Sequence, residues 1–126
     1  KYQIKNKILI ILGGYSLAGL FSLWSSYQSS SFNAIVGASP SVWFNDWEEF
    51  IVKNTPLSNV IYLSLGDKEE KTKNQIMARV GKTIQKQEEV LNNRGIKTIL
   101  EWNNGGHFQD SDIRLAKGFV WCINNL

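Results

Sequence analysis

Three groups in this sequence have the types and the order that nucleophilic chemistry needs. They are Ser16, a carboxylate from the run Asp67-Lys68-Glu69-Glu70, and His107, the only histidine. A serine hydroxyl is a weak nucleophile until a base takes its proton and a turn exposes it. Ser16 stands in Gly13-Gly14-Tyr15-Ser16-Leu17-Ala18-Gly19, after the apolar run 8–12 and before an apolar segment, 17–27, with helical spacing. A strand, a glycine turn carrying one serine, and a helix form the setting of a nucleophile elbow. Ala18 departs from the strict Gly-x-Ser-x-Gly pattern, although it is small enough for strand and helix to approach closely. The Leu17 N–H, at the start of the new helix, would donate to an oxyanion. The plainer reading is a strand-to-helix turn with serine as a helix cap. A phosphate cradle is disfavoured, because the turn has neither Gly-x-Gly-x-x-Gly spacing nor a Gly-Lys-Ser/Thr end.

His107 follows Gly105-Gly106, after an apolar run that reads as a strand. A lone histidine is more often structural than catalytic, but a histidine base has no other candidate here. An acid would hold the imidazole in one tautomer and stabilise its charge. Asp67, Glu69 and Glu70 all follow the third strand-like run, and such clusters are commonly just solvated faces. Glu101 lies inside a strand-like run and is a poorer candidate. The chain order serine, acid, histidine is that of one serine-hydrolase architecture.

Positioning these groups requires alternating strands and helices. Residues 8–12, 34–38, 60–65 and 96–102 read as short buried strands. Residues 17–27 (closed by Gln28), 47–53, 75–93 and a last stretch from Asp110 or Ser111 to near Leu126 read as helices, with Asn45-Asp46 as a cap for the second and Gly95 as the stop for the third. Ile76, Val80, Ile84 and Leu91 are among the apolar positions of the third helix. The order β-α-β-α-β-α-β-α implies an α/β fold: a parallel four-stranded sheet with flanking helices on both faces. In such sheets a ligand site lies beyond the carboxyl ends of the strands, where the three chemical loops fall.

With 126 residues and a 43% apolar composition, one domain over residues 1–126 is expected, with a core of its own. The net charge of +3 comes from cations interleaved with acids, so no nucleic-acid patch is expected. Cys122, the only cysteine, permits neither an internal disulfide nor a multi-cysteine zinc site, and its apolar surroundings suit a buried structural thiol. Lys1, Lys5 and Lys7 precede the run 8–12 as a basic and an apolar region would in a signal peptide. That run is too short for a signal peptide or a membrane span, so a buried strand and a cytoplasmic location are expected.

Several motifs together carry a resemblance. Gly13-Gly14-Tyr15-Ser16-Leu17-Ala18-Gly19-Leu20-Phe21, Ala38-Ser39-Pro40-Ser41-Val42-Trp43, Leu65-Gly66-Asp67-Lys68-Glu69-Glu70 and Gly105-Gly106-His107-Phe108 stand in order along nearly the whole chain. The sequence resembles the esterase branch of the α/β-hydrolases that includes siderophore esterases, feruloyl esterases and esterase D-like S-formylglutathione hydrolases. The resemblance implies Ser16 as nucleophile, His107 as general base and Glu69 as the acid, with Asp67 as fallback. It implies Leu17 as an oxyanion-hole donor, and Tyr15 and Trp43 beside the substrate. The implied reaction is hydrolysis of a small-molecule carboxylic ester through an acyl-enzyme, with no metal or cofactor. The resemblance covers only the C-terminal half of a fold that has about eight strands and draws its second oxyanion donor from an early loop. Three outcomes are then expected: the chain is part of a longer polypeptide, it completes its sheet as a homodimer through the exposed edge of the first strand, or it is a degenerate module used for binding or assembly.

Overall fold

The computed structural model describes residues 8–126. The lysines at positions 1–7 lie outside the described residues. The chain alternates β1 (Ile11–Tyr15), α1 (Leu17–Gln28), β2 (Ala34–Ala38), α2 (Trp47–Lys53), β3 (Val60–Gly66), α3 (Val80–Asn93), β4 (Lys97–Asn103) and α4 (Ser111–Asn125). Two single 3-10 turns, Glu69–Lys71 and Met77–Arg79, lie between β3 and α3. The four strands are parallel and adjacent in chain order, β1-β2-β3-β4. This is the α/β architecture that the alternating pattern implies.

Strand periodicity divides the core between the two faces. Ile35, Ile61, Leu63 and Leu65 point to one face and pack with Leu23 of α1, Ile51 of α2, and Ile84 and Leu91 of α3. Ala34, Val36, Ala38, Val60 and Tyr62 point to the other, where Cys122 and Phe119 of α4 cover them. Both faces of β2 and β3 are therefore covered, and every residue of these two strands is buried. The outer strands β1 and β4 are only partly buried.

Two elements start three residues or more from the sequence expectation. β1 begins at Ile11 rather than at residue 8, so Gly13 and Gly14 lie inside the strand and not in a turn after it. Ile8, Leu9 and Ile10 are exposed, and the Ile10 N–H donates to Asn33 Oδ1. An apolar run alone does not mark where pairing starts; the parallel register Ile11↔Ala34 to Tyr15↔Ala38 does. α3 begins at Val80 rather than at residue 75. Residues before it are held by the Asn74 side chain, whose Oδ1 accepts from the N–H groups of Ile76 and Met77, and Ile76 is exposed. Such side-chain bonding competes with the helix ladder. Asp46 does stand at the start of α2, but with φ +64° and no side-chain capping bond.

The carboxyl ends of all four strands meet at one edge of the sheet. The turns that leave them carry Ser16, Ser39, Glu69 and His107, one from each strand.

Candidate active site

Ser16 occupies a single residue between β1 and α1. Its backbone is at φ +62° and ψ −123°, a region that a non-glycine residue enters only at a cost of about 1–3 kcal/mol. The surrounding bonds hold it there. Its N–H donates to Ala38 O at 3.1 Å, and its carbonyl accepts from the N–H groups of Leu20 and Ser41, each at 3.1 Å. Gly14 makes the sharp reversal feasible, because a Cβ there would lie 2.4 Å from the carbonyl carbon of Ala18. No side chain can fit at that separation, so strand and helix approach only over glycine. Leu17 opens α1, and among the described residues its N–H has no acceptor.

His107 arrives from the opposite edge of the sheet. Its loop leaves β4, which lies three strand spacings, about 14 Å, from β1. The loop folds back across the strand ends and is tied down along its length. The Asp67 N–H donates to Asn103 O at 2.8 Å, and the Lys68 N–H donates to Gly105 O at 3.0 Å. Asp67 Oδ1 accepts the Gly105 N–H at 3.0 Å. Gly66 lets the loop lie this close, since a Cβ there would meet Gly105 O at 2.4 Å. The result is a hydrogen-bonded line of three side chains. His107 Nε2 is 2.9 Å from Ser16 Oγ, and His107 Nδ1 is 2.7 Å from Glu69 Oε1.

Glu69 sits in the short turn after β3, with its side chain almost fully buried. Burial by itself pushes its carboxyl pKa up. The hydrogen bonds from His107, Ser39 and the Gly66 N–H outweigh that effect and hold it below the ordinary carboxylate value. Its two oxygens have different partners. Oε1 faces His107. Oε2 accepts from Ser39 Oγ at 2.7 Å, from the Gly66 N–H at 2.7 Å and from Arg114 Nη1 at 3.4 Å.

Of the carboxylates that follow β3, Glu69 meets the imidazole, while Asp67 braces the loop that carries it. Glu101 is elsewhere, paired with Tyr62 and Lys117. Trp43 lines the cleft that opens over Ser16 and His107, with Met77, Phe108 and Lys68. That cleft encloses about 350 Å³. Tyr15 was expected beside the substrate and instead points under the site. Its hydroxyl donates to the His107 carbonyl and accepts from Arg114 Nη1 at 3.1 Å. It is not among the residues that line the cleft.

Two site residues were not singled out from the sequence. Ser39, at φ +40° just beyond β2, is one. Arg114, 1% exposed in the first turn of α4, is the other. A signal for Arg114 existed: Arg114, Gly118 and Cys122 recur every fourth residue, and all three are buried on α4. A charged residue at a core position of an amphipathic helix needs a buried partner. Among the described residues no group of three His, Cys, Asp or Glu side chains is placed to hold a metal ion. No helix among them is long and apolar enough to cross a membrane.

A parallel sheet whose first strand runs through a strained serine turn into a helix, with a histidine loop after the last strand, has the α/β-hydrolase fold, represented here over a fraction of its length. Among solved structures the chain is similar to an enterobactin esterase from Shigella flexneri (TM-score 0.72, 16% identity, 91% of this chain and 31% of that one). It is also similar to a siderophore hydrolase from Aspergillus nidulans (TM-score 0.62, 23% identity, 91% and 48%). A third is an IroE-like serine hydrolase from Shewanella oneidensis (TM-score 0.63, 18% identity, 86% and 38%). The chain therefore spans between 31% and 48% of the length of these proteins. At such identities the likeness shows the fold. No protein-family model and no curated protein matches the sequence.

Proposed function

We propose that this chain carries the nucleophile, base and acid of a serine hydrolase acting on carboxylic esters. The observation that carries the reading is the line Ser16 Oγ, His107 Nε2 at 2.9 Å, then His107 Nδ1 and Glu69 Oε1 at 2.7 Å. Ser16 attacks the ester carbonyl while His107 Nε2 takes its proton. Glu69, ionised, holds the Nδ1–H tautomer and stabilises the imidazolium. The oxyanion of the tetrahedral intermediate takes the Leu17 N–H. Its collapse expels the alcohol, which receives the proton from His107, and leaves an acyl-Ser16 ester. Water, deprotonated by His107, then releases the acid and restores Ser16.

The apolar wall of the cleft, with Trp43, Met77 and Phe108, suits an acyl or aryl group, and Lys68 stands at its edge. The structural neighbours include an enterobactin esterase and siderophore hydrolases, which favours a siderophore-type ester over a feruloyl or short acyl ester. A fluorophosphonate probe is expected to label Ser16 in the protein containing this chain, and Ser16→Ala to abolish labelling. An unlabelled Ser16 in a folded protein would remove the hydrolase reading.

A second reading is a non-catalytic module used for binding or assembly. The observation in its favour is that β1 is an edge strand, hydrogen-bonded to β2 alone among the described residues. An open edge is a ready template for another strand. Ester turnover by the protein, lost with Ser16→Ala, separates the two.

A further inference from the structure

We infer that Arg114 is a positioning residue of the site, one that presents Glu69 and the His107 main chain to each other as a unit; this rests on the hydrolase reading above. A carboxylate has two oxygens and a freely turning terminal bond. A single contact with an imidazole leaves the second oxygen to find its own partners. Among the described residues Oε2 has three donors, of which Arg114 Nη1 is the only charged one. At 3.4 Å it is longer than the two neutral bonds, and it acts as the ion-pair partner of a buried carboxylate rather than as its tightest donor.

The same guanidinium reaches further. Nη1 donates to Tyr15 Oη and lies 3.3 Å from Ser39 Oγ, while Nη2 donates to Asn104 O at 3.1 Å. Tyr15 in turn donates to the His107 carbonyl. Arg114 therefore touches the acid directly, the histidine loop directly at Asn104, and the histidine itself through Tyr15. It touches neither Ser16 nor the cleft. Its side chain is 2% exposed, so its neighbours must satisfy its donors, and those neighbours are Glu69, Ser39 beside it, and two groups that hold the His107 loop, Tyr15 and Asn104. A planar guanidinium with a fixed fork can serve four partners from one place, which an ammonium cannot.

Arg114 is thus expected to act on rate through Glu69, not on binding. The test is the labelling rate of Ser16 by a fluorophosphonate, resolved into the maximal rate and the half-saturating concentration, with far-UV circular dichroism as a check of fold. Arg114→Met is expected to lower the maximal rate by about 10- to 100-fold, the cost of a misplaced catalytic group, with the half-saturating concentration within about threefold of wild type. The decisive arm is the pair with Glu69→Gln. If Arg114 works through Glu69, Arg114→Met should slow a Glu69→Gln protein by less than about threefold. Full multiplication of the two losses in a folded protein would overturn the inference, as would wild-type labelling by Arg114→Met. Should Arg114→Met fail to fold, Arg114→Lys takes its place. It keeps the charge without the fork, and a partial loss that disappears in the Glu69→Gln background is expected. Wild-type labelling by Arg114→Lys would then overturn the inference. Absence of labelling in the wild-type protein itself would remove the hydrolase reading, and this inference with it.

Discussion

At the scale of single residues the chemistry is concentrated in a buried, anionic Glu69. Its carboxyl is held below the ordinary value although burial opposes this, because donors surround it. A folded-state pKa lower than the unfolded one adds stability that is present above the unfolded value and is lost as pH falls through the folded one. The unfolded value is near 4.3 for glutamate. The stability difference between wild type and Glu69→Gln is therefore expected to be greatest at neutral pH, to shrink below about pH 4 and to vanish once Glu69 is protonated. Urea denaturation of both proteins at neutral and at acid pH checks this, and a difference independent of pH would contradict it. The same substitution is expected to lower ester turnover at neutral pH by about 100- to 10,000-fold, since the imidazole loses the group that fixes its tautomer.

Elements decide whether those residues meet. β1 ends and α1 begins around one strained serine, and the close approach of Gly14 to Ala18 makes the turn possible. Gly14→Ala puts a methyl where the Ala18 backbone already lies. It is expected to destabilise the fold by about 1–3 kcal/mol, as overpacking does, and to slow labelling of Ser16 in the fraction that folds. Thermal unfolding together with labelling rates measures both, and unchanged stability would mean that the turn can relax. The loop after β4 is the other decisive element. It gains its position from the bonds that Asp67 and Lys68 of the turn after β3 make to Asn103 and to Gly105, the latter at φ +109°. Cys122 belongs to this scale as well: it is fully buried on the sheet-facing side of α4, and burial pushes its thiol up to about 12. It packs as a small apolar group.

The whole molecule has an uneven surface. β2 and β3 are covered on both faces. Among the described residues, by contrast, β1 is hydrogen-bonded to β2 alone, and Leu17, Phe21 and Trp24 of α1 are exposed. These three recur at helical spacing and line an apolar groove of about 410 Å³ with Phe44 and Phe50. An exposed apolar groove and a strand edge without a partner each favour association. The 126 residues on their own are expected to self-associate in sedimentation velocity at micromolar concentration, and a strict monomer would contradict edge pairing.

Much of this was legible locally. Alternating apolar runs and helical stripes gave the element order, because side-chain period and turn residues act over a few positions. The serine turn and the histidine after two glycines were legible for the same reason, as were the acids after the third strand. The start of β1 was not, since which residues of an apolar run are paired is set by the neighbouring strand 20 or more positions away, as in Ile11↔Ala34. The choice of Glu69 over Asp67 was open on residue type alone, both being carboxylates on one loop; resemblance favoured Glu69, and only folding the β4 loop back across the sheet puts one against the imidazole and the other against the backbone. Arg114 stood in plain view at a core position of α4, but its partners come from four separate segments. By itself the sequence determined the elements and the kinds of chemical group at the strand ends. The tertiary structure alone decided which of them touch, because hydrogen bonds between residues 91 positions apart, such as Ser16 with His107, exist only once the sheet has brought its edges together.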